Sequence, residues 1–126
     1  MFDVATLKQW IGRLGYEATA DRPSTYRIEP RGPGMEGVPP FYAQCTPNWL
    51  VLSILPVLPE GAPVPHRWLL ERCRHMRLAK FALAEDGAVA LSAELPTESL
   101  DFEEFEDAVL RMVEYALRYR RELGVA

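Results

Sequence analysis

The sequence predicts an α+β domain: an antiparallel sheet of about five strands with three helices, in the order α-β-β-β-α-β-β-α. The uncharged apolar run from Phe41 to Leu58 is interrupted by Pro47-Asn48, which predicts two strands joined by a tight turn. A second hairpin is predicted over Lys80 to Ala93, around Asp86-Gly87. Helical periodicity near both ends of the chain and between the two hairpins completes the pattern.

The register of the first hairpin follows from its apolar side chains. Successive strand residues point to opposite faces, so a loop of two or four residues gathers one apolar face, whereas a three-residue loop mixes polar and apolar side chains. We therefore expect the even loop, with Cys45 opposite Leu50, Ala43 opposite Leu52 and Phe41 opposite Ile54. The other face keeps Trp49, Val51 and Leu55, which predicts a central strand partly covered on both sides.

The second hairpin has its own internal pattern. A three-residue loop, Glu85-Asp86-Gly87, places Leu83 opposite Val89 and Phe81 opposite Leu91. Gly87 then takes the left-handed position of a bulge. The opposite face of this hairpin holds only small side chains, those of Ala82, Ala84, Ala88 and Ala90.

Three helices and one or two further strands complete the predicted elements, so that three strands, or four, precede the second helix. The first helix is capped by Asp3 and leaves through Gly15, and the second begins near Pro65 and runs to about Arg77. Asp101 and Glu104 form a capping box for the last helix. Short strands are predicted at Tyr16 to Ala20 and at Thr25 to Glu29, the second with the clearer alternation.

The segment 30–40 is rich in proline and glycine, with glycines at 32, 34 and 37. Such a composition leaves little room for regular structure and is typical of a mobile surface loop. The alternative is a partner-binding arm in which Val38, Pro39 and Pro40 are extended in a polyproline-like conformation.

Composition limits the class of protein. A chain of 126 residues with 48% hydrophobic and 25% charged residues predicts one globular domain spanning 1–126. The sequence shows no signal-peptide pattern and no apolar run of about 20 residues, the length needed to span a bilayer, so a cytoplasmic protein that does not bind membranes is expected. The net charge of −4 argues against a general nucleic-acid binder.

Candidate chemistry is sparse. The two cysteines, Cys45 and Cys73, have no partners at zinc-site spacing and are expected to be buried free thiols. Cys73 and His75 lie two residues apart, and such positions point away from each other on a helix, so they do not form a nucleophile–base pair. No phosphate-binding glycine motif is present. We expect no catalytic residues, no metal and no cofactor.

Charge is segregated along the chain. Acidic residues crowd positions 85–107, and no lysine or arginine falls between Phe81 and Leu110. Their position at a helix start accounts for many of these acids. The outer face of the second helix is instead basic, which is typical of a solvated face but also of pairing with a partner or second protomer, through Arg67, Arg72, Arg74 and Arg77.

Short motifs along nearly the whole chain accompany the predicted order of elements. They are Trp10 with Gly15-Tyr16, Asn48-Trp49-Leu50-Val51-Leu52, Ala79-Lys80-Phe81-Ala82-Leu83 before Asp86-Gly87, and Leu95-Pro96 to Leu100-Asp101-Phe102. These motifs resemble the YbjN-like family, whose fold matches that of the class I chaperones of type III secretion. The resemblance implies a small antiparallel sheet with helices, often a homodimer, which binds proteins and has no agreed catalytic residues.

The sequence therefore predicts a non-catalytic protein-binding module, chaperone-like or regulatory. Its candidate contact residues are Val38, Pro39, Pro40 and Trp49 together with the four arginines above. A homodimer is expected because the hairpin 41–58 is apolar on both faces, while three amphipathic helices offer few stripes to cover them. The alternatives are an enzyme or small-ligand binder with a pocket beside the sheet, and a nucleic-acid binder that uses the arginines of the second helix.

Overall fold

Three helices and six strands follow one another in a computed structural model that describes residues 2–31, 33, 35–59 and 63–124. The helices are α1 (Val4–Arg13), α2 (His66–Cys73) and α3 (Phe102–Glu122). The strands are β1 (Glu17–Arg22), β2 (Thr25–Glu29), β3 (Phe41–Cys45), β4 (Trp49–Ile54), β5 (Ala79–Leu83) and β6 (Val89–Pro96). All six strands belong to one antiparallel sheet in the order β1-β2-β3-β4-β6-β5.

The sheet has six strands rather than the five predicted, because both short segments before the proline-rich loop are strands. β1 pairs with β2 from Glu17↔Glu29 to Arg22↔Thr25, through a turn in which Ser24 has φ +61°. Every residue of β1 except the half-buried Ala18 is exposed. Backbone pairing at the sheet edge therefore defines this strand, and that pairing leaves only a weak pattern of apolar residues in the sequence.

The first hairpin has the predicted even register. Cys45 lies opposite Leu50 and Ala43 opposite Leu52, and the Thr46 hydroxyl accepts a hydrogen bond from the Trp49 N–H in the turn. The apolar face of this hairpin is buried.

The second face of the hairpin is only partly covered. Trp49 and Leu55 are each 45% exposed, and Val51 is only half buried. Across the sheet, a row of direct cross-strand partners on the same side remains accessible: Tyr42, Ser53, Ser92 and Lys80. The neighbouring row is fully buried: Ala43, Leu52, Ala93 and Ala79. The helices therefore cover one face of the sheet and leave the other open.

The second hairpin also has the predicted register. Phe81 lies opposite Leu91 and Leu83 opposite Val89, and Gly87 has φ +86° in the three-residue loop. The Gly87 N–H donates to the Ala84 carbonyl, at an N···O distance of 2.9 Å. Since Phe81 and Leu91 share the helix-covered side with Ala79 and Ala93, the alanine face lies on the open side of the sheet.

The core is built around α3, whose buried stripe crosses the covered face. The predicted capping box starts this helix: the Asp101 carboxylate accepts from the Glu104 N–H, and the Glu104 carboxylate accepts from the Asp101 N–H. Its buried residues are Phe105, Ala108, Val109, Met112, Val113, Tyr115, Ala116 and Tyr119.

Aromatic contacts join the other two helices to α3. The Trp10 ring of α1 has its centroid 5.6 Å from that of Phe105. The Trp68 ring of α2 lies 5.8 Å from that of Tyr119. The three helices therefore form one layer, held by contacts at both ends of α3.

The second helix is shorter than predicted, ending at Cys73 instead of near Arg77. The Lys80 ammonium, reaching from β5, donates to the Cys73 carbonyl at 2.5 Å and to the Met76 carbonyl at 2.7 Å. Carbonyls at a helix C-terminus lack partners within the helix, and a cation satisfies them well. The chain then turns through Leu78, with φ +67°, into β5.

Replacing Gly87 with alanine tests the hairpin loop. A Cβ at φ +86° is strained even though no atom lies within 4 Å of its position. We expect Gly87→Ala to lower the free energy of unfolding by about 1 kcal/mol, measured by urea denaturation.

The matched control for this substitution is Gly12→Ala, in the interior of α1, where an added Cβ also meets no atom within 4 Å and φ is not positive. That variant should be more stable than the wild type, because alanine is favoured over glycine in a helix. A Gly87→Ala protein at least as stable as the wild type would contradict the left-handed assignment.

Candidate functional site

An apolar groove of about 240 Å³ lies between α2 and the edge strand β5. Its lining comes from one face of the helix and one end of the strand: His66, Leu69, Leu70, Cys73, Phe81, Ala82 and Leu83. Among the described residues β5 pairs only with β6, so its other side faces no described strand. The groove therefore joins apolar side chains to an open sheet edge, which is a surface suited to another polypeptide.

Exposed leucines line this groove and precede β5. Leu70 is 73% exposed and Leu83 57% exposed, and both line the groove. Leu78, one residue before β5, is 45% exposed. Its φ of +67° is strained for any residue with a branched aliphatic side chain. Neither burial nor backbone conformation within the single chain accounts for a leucine at this position.

The floor of the groove is fixed by aromatic packing. The Phe81 ring lies 5.7 Å from Tyr119 and 6.4 Å from Trp68, measured between ring centroids. The Tyr115 hydroxyl accepts a hydrogen bond from the Arg77 N–H at 2.7 Å, which ties the turn after α2 to α3. Burial raises the pKa of Tyr119. The groove is therefore a preformed surface rather than a gap between loosely packed elements.

The four predicted arginines do not form one basic helical face. Arg67 pairs with Glu71 at 2.9 Å, with its own side chain 94% exposed, so the pair adds little stability. The Arg72 guanidinium is half buried, 5.1 Å from the Trp68 ring centroid, and its buried Nε has no hydrogen-bond partner among the described residues. Arg74 and Arg77 are exposed but follow the end of the helix.

The proline-rich segment is placed partly in the core. Val38 is only 9% exposed and belongs to the core cluster, and its N–H donates to the Met35 carbonyl at 3.2 Å. Pro39 and Pro40 are half buried and lead directly into β3. Positions 32 and 34 lie outside the described residues. The side chain of Val38 is therefore occupied within the molecule instead of being offered to a partner.

Trp49 lies at a different place, at the start of β4, where it pairs with Pro96. A second, more polar cavity of about 590 Å³ opens there. Its lining comes from the β3–β4 turn, the segment between β6 and α3, and the chain before α1: Phe2, Pro47, Asn48, Trp49, Pro96, Thr97, Glu98 and Ser99. Of the predicted contact residues, Trp49 lines this cavity and none lines the groove between α2 and β5.

Titratable groups with shifted pKa values have structural roles. The Asp3 carboxylate caps α1 by accepting a hydrogen bond from the Thr6 N–H, and this bond lowers the pKa of Asp3. A hydrogen bond from Arg31 lowers the pKa of Glu29. Both cysteines are free and half buried, and burial raises the pKa of the Cys45 thiol.

Within the described part of the chain, no three His, Cys, Asp or Glu side chains are grouped so as to hold a metal ion. No described helix is long and apolar enough to cross a membrane.

The groove beside β5 was not predicted from the sequence, although one residue of α2 could have indicated it. Leu70 lies off the inward stripe of α2, and an apolar residue on the outward side of a short helix indicates a surface contact. Leu83 gave no signal, because its alternation with Phe81 predicts burial. In the structure Leu83 is nevertheless 57% exposed.

Replacing Lys80 with methionine tests how α2 ends. The substitution keeps most of the side-chain volume but removes the ammonium that donates to the Cys73 and Met76 carbonyls. We expect Lys80→Met to lower the free energy of unfolding by about 1 kcal/mol in thermal or urea denaturation. Lys8→Met, at an exposed position of α1, should change it by no more than about 0.5 kcal/mol. Equal stability of the two variants would contradict the cap.

No protein-family model and no curated protein matches the sequence, whereas solved structures match it clearly. A chain of the HopA1–SchA chaperone–effector complex is similar over 91% of this chain and 90% of that chain, with a TM-score of 0.69 and 17% identity. YbjN from E. coli is similar over 97% and 94% of the two chains, with a TM-score of 0.66 and 18% identity.

The heterodimeric ExoU–SpcU complex from the type III secretion system of Pseudomonas aeruginosa also contains a similar chain. It matches over 89% of this chain and 93% of that chain, with a TM-score of 0.64 and 20% identity. Each match extends over nearly the whole of both chains. Because the identities are low, these matches establish a shared architecture. The chain therefore has the YbjN-like fold, which is also the fold found in type III secretion chaperone complexes.

Proposed function

We propose that this chain is a non-catalytic protein-binding module, a chaperone-like or regulatory adaptor that works in the cytoplasm as a homodimer of single-domain chains. The observation that carries the proposal is the preformed apolar groove between α2 and β5, with Leu70 and Leu83 exposed beside it. Similar folds occur in complexes that pair a chaperone with an effector. A surface of this kind gains free energy when another chain covers its apolar side chains.

The homodimer follows from the form of this surface. A two-fold axis brings the same patch of both copies together, so the patch must contain both projecting and receiving parts. Here the groove can receive apolar side chains of the second copy, and the exposed leucines can enter the groove of that copy. Both features belong to α2 and β5. Leu78 adds a third apolar side chain beside the same edge, in a strained conformation that contacts with a second chain would account for.

The other two functions have weaker support. A ligand site or active site needs several convergent polar groups, and His66 and Cys73 are the only ones in the lining of the groove. A nucleic-acid interface needs arginines on one face, whereas Arg67 is paired with Glu71 and Arg72 is stacked on Trp68. Protein binding requires neither arrangement.

The dimer is tested by solution mass from light scattering at low micromolar concentration. We expect about twice the chain mass of 14.3 kDa, unchanged in high salt, because apolar contacts are not screened. Leu70→Asp combined with Leu83→Asp should give a monomer, since two charges would be buried in the groove. Leu110→Asp is the matched control, because Leu110 is a 54% exposed leucine on α3.

The same pair of variants tests partner binding. Affinity capture from the native host should recover one or a few specific proteins with the wild type and with Leu110→Asp, and should lose them with the groove variant. A wild-type mass near 14.3 kDa at every concentration would contradict the dimer. Dissociation in high salt would instead place the interface at the arginines and the acidic residues. Capture that is equal for all variants would contradict the groove as the binding surface.

A further inference from the structure

The cavity beside Trp49 is separate from the groove of α2 and β5. Trp49 pairs with Pro96 at one end of β6, whereas Leu83 pairs with Val89 at the other end. The two cavities share no lining residue. The Trp49 cavity and the proposed dimer surface can therefore be altered separately by substitution.

The Trp49 cavity combines an exposed aromatic ring with apolar walls. Trp49 is 45% exposed at the start of a central strand, and Pro47, Pro96 and Phe2 line the same cavity. Phe2 is held by the Trp10 ring, with centroids 5.1 Å apart. Proline and aromatic side chains that line one open cavity suit an extended polypeptide, because both pack against it without needing a regular partner structure.

One carboxylate lines this cavity, and a second lies on the strand that leads to it. Glu98 is one of its lining residues, and Glu94 is the same-face neighbour of Pro96 on β6. Among the described residues, no lysine, arginine or histidine nitrogen lies within 4.0 Å of either carboxylate. Nearby Asp101 is used as the cap of α3 and Asp3 as the cap of α1, but neither glutamate has such a role.

The wall that carries Glu98 is fixed in position. The Thr97 N–H donates to the Asn48 carbonyl at 3.1 Å, and the Leu100 N–H donates to the Thr97 carbonyl at 3.3 Å. Within that turn Ser99 has φ +63°, a conformation that is uncommon outside glycine, asparagine and aspartate. The carboxylate of Glu98 is therefore attached to a defined turn next to the indole instead of to a free loop.

We propose that this cavity binds an extended segment of a partner protein that carries an arginine or lysine beside a proline or aliphatic residue. The cation lies over the Trp49 indole and is neutralised by Glu98 and Glu94, while its apolar neighbour packs on Pro47 and Pro96. The negative charge of the rim excludes nucleic acid and acidic peptides. This inference rests on the proposed protein-binding function and names the chemistry of one partner segment.

The test uses a dye-labelled peptide of repeated Arg-Pro-Leu and a matched peptide with citrulline in place of arginine, which removes the charge but keeps the shape. Binding is measured by fluorescence anisotropy, and the indole N–H resonances of the three tryptophans are followed by NMR, with Trp49 assigned from Trp49→Phe. We expect the arginine peptide to bind, to shift the Trp49 resonance, and to weaken as salt is added.

Two variants locate the binding. These two variants, Trp49→Ala and the double variant Glu94→Gln with Glu98→Gln, should each weaken binding of the arginine peptide at least tenfold. Glu114→Gln, an exposed glutamate on α3, should leave its affinity unchanged. Citrulline binding equal to arginine binding, retained affinity in Trp49→Ala, or a shift confined to the Trp68 resonance would each overturn the inference. The inference would also be overturned if Trp49→Ala changed the solution mass in the absence of peptide, because a second copy of the chain would then occupy the cavity.

The two proposals fail separately. If the peptide does not bind but the dimer and groove-dependent capture persist, only the Trp49 inference is wrong. If the peptide binds in the predicted way but the wild type is a monomer with no groove-dependent capture, the proposed function of the groove is wrong and the Trp49 cavity stands.

Discussion

The packing of α3 on one face of the sheet is the interaction on which the rest of the structure depends. Its buried stripe lies along β5 and β6, and its ends receive Trp10 from α1 and Trp68 from α2. A single layer of helices can cover only one face of a sheet. The short first and second helices are too small to form stable units alone, so their positions follow from their aromatic contacts with α3.

What remains uncovered follows from this arrangement. The open face of the sheet keeps a row of polar and small side chains, which can stay in water. The exposed apolar side chains are local: Trp49 on the open face near one end of β4, and Leu83 on the helix-covered side at the end of β5, where it lines the groove with Leu70 of α2. Exposed apolar side chains that are grouped beside a cavity are more informative than the same residues scattered singly. The account of function rests on these two groups.

The sequence predicted the strongly patterned parts of this fold. Both hairpin registers, the left-handed glycine at 87 and the capping box at Asp101 depend on local patterns that the chain carries in full. β1 was left out of the predicted count of five strands because a strand at the edge of a sheet can pair through its backbone while most of its side chains stay exposed. The end of α2 was misplaced because it depends on Lys80, which reaches back from the next strand.

The candidate site was predictable only in part, for a related physical reason. Exposure depends on how the elements pack against one another, and alternation cannot show that Leu83 is exposed or that Val38 enters the core. Trp49 could be singled out because it stands on the second face of an apolar strand. The grouping of Glu98 with Trp49 required the turn between β6 and α3 to be placed.

Hydrogen exchange at two protein concentrations tests the central claim, that the edge formed by β5 and α2 is where a second chain lies. Both outer strands of the sheet have unpaired backbone groups, so β1 (Glu17–Arg22) serves as an internal reference for β5 (Ala79–Leu83). We expect peptides covering 66–83 to exchange more slowly at the higher concentration, and peptides covering 17–22 to exchange at the same rate at both. Unchanged exchange over 66–83, or slower exchange over 17–22 alone, would contradict that claim.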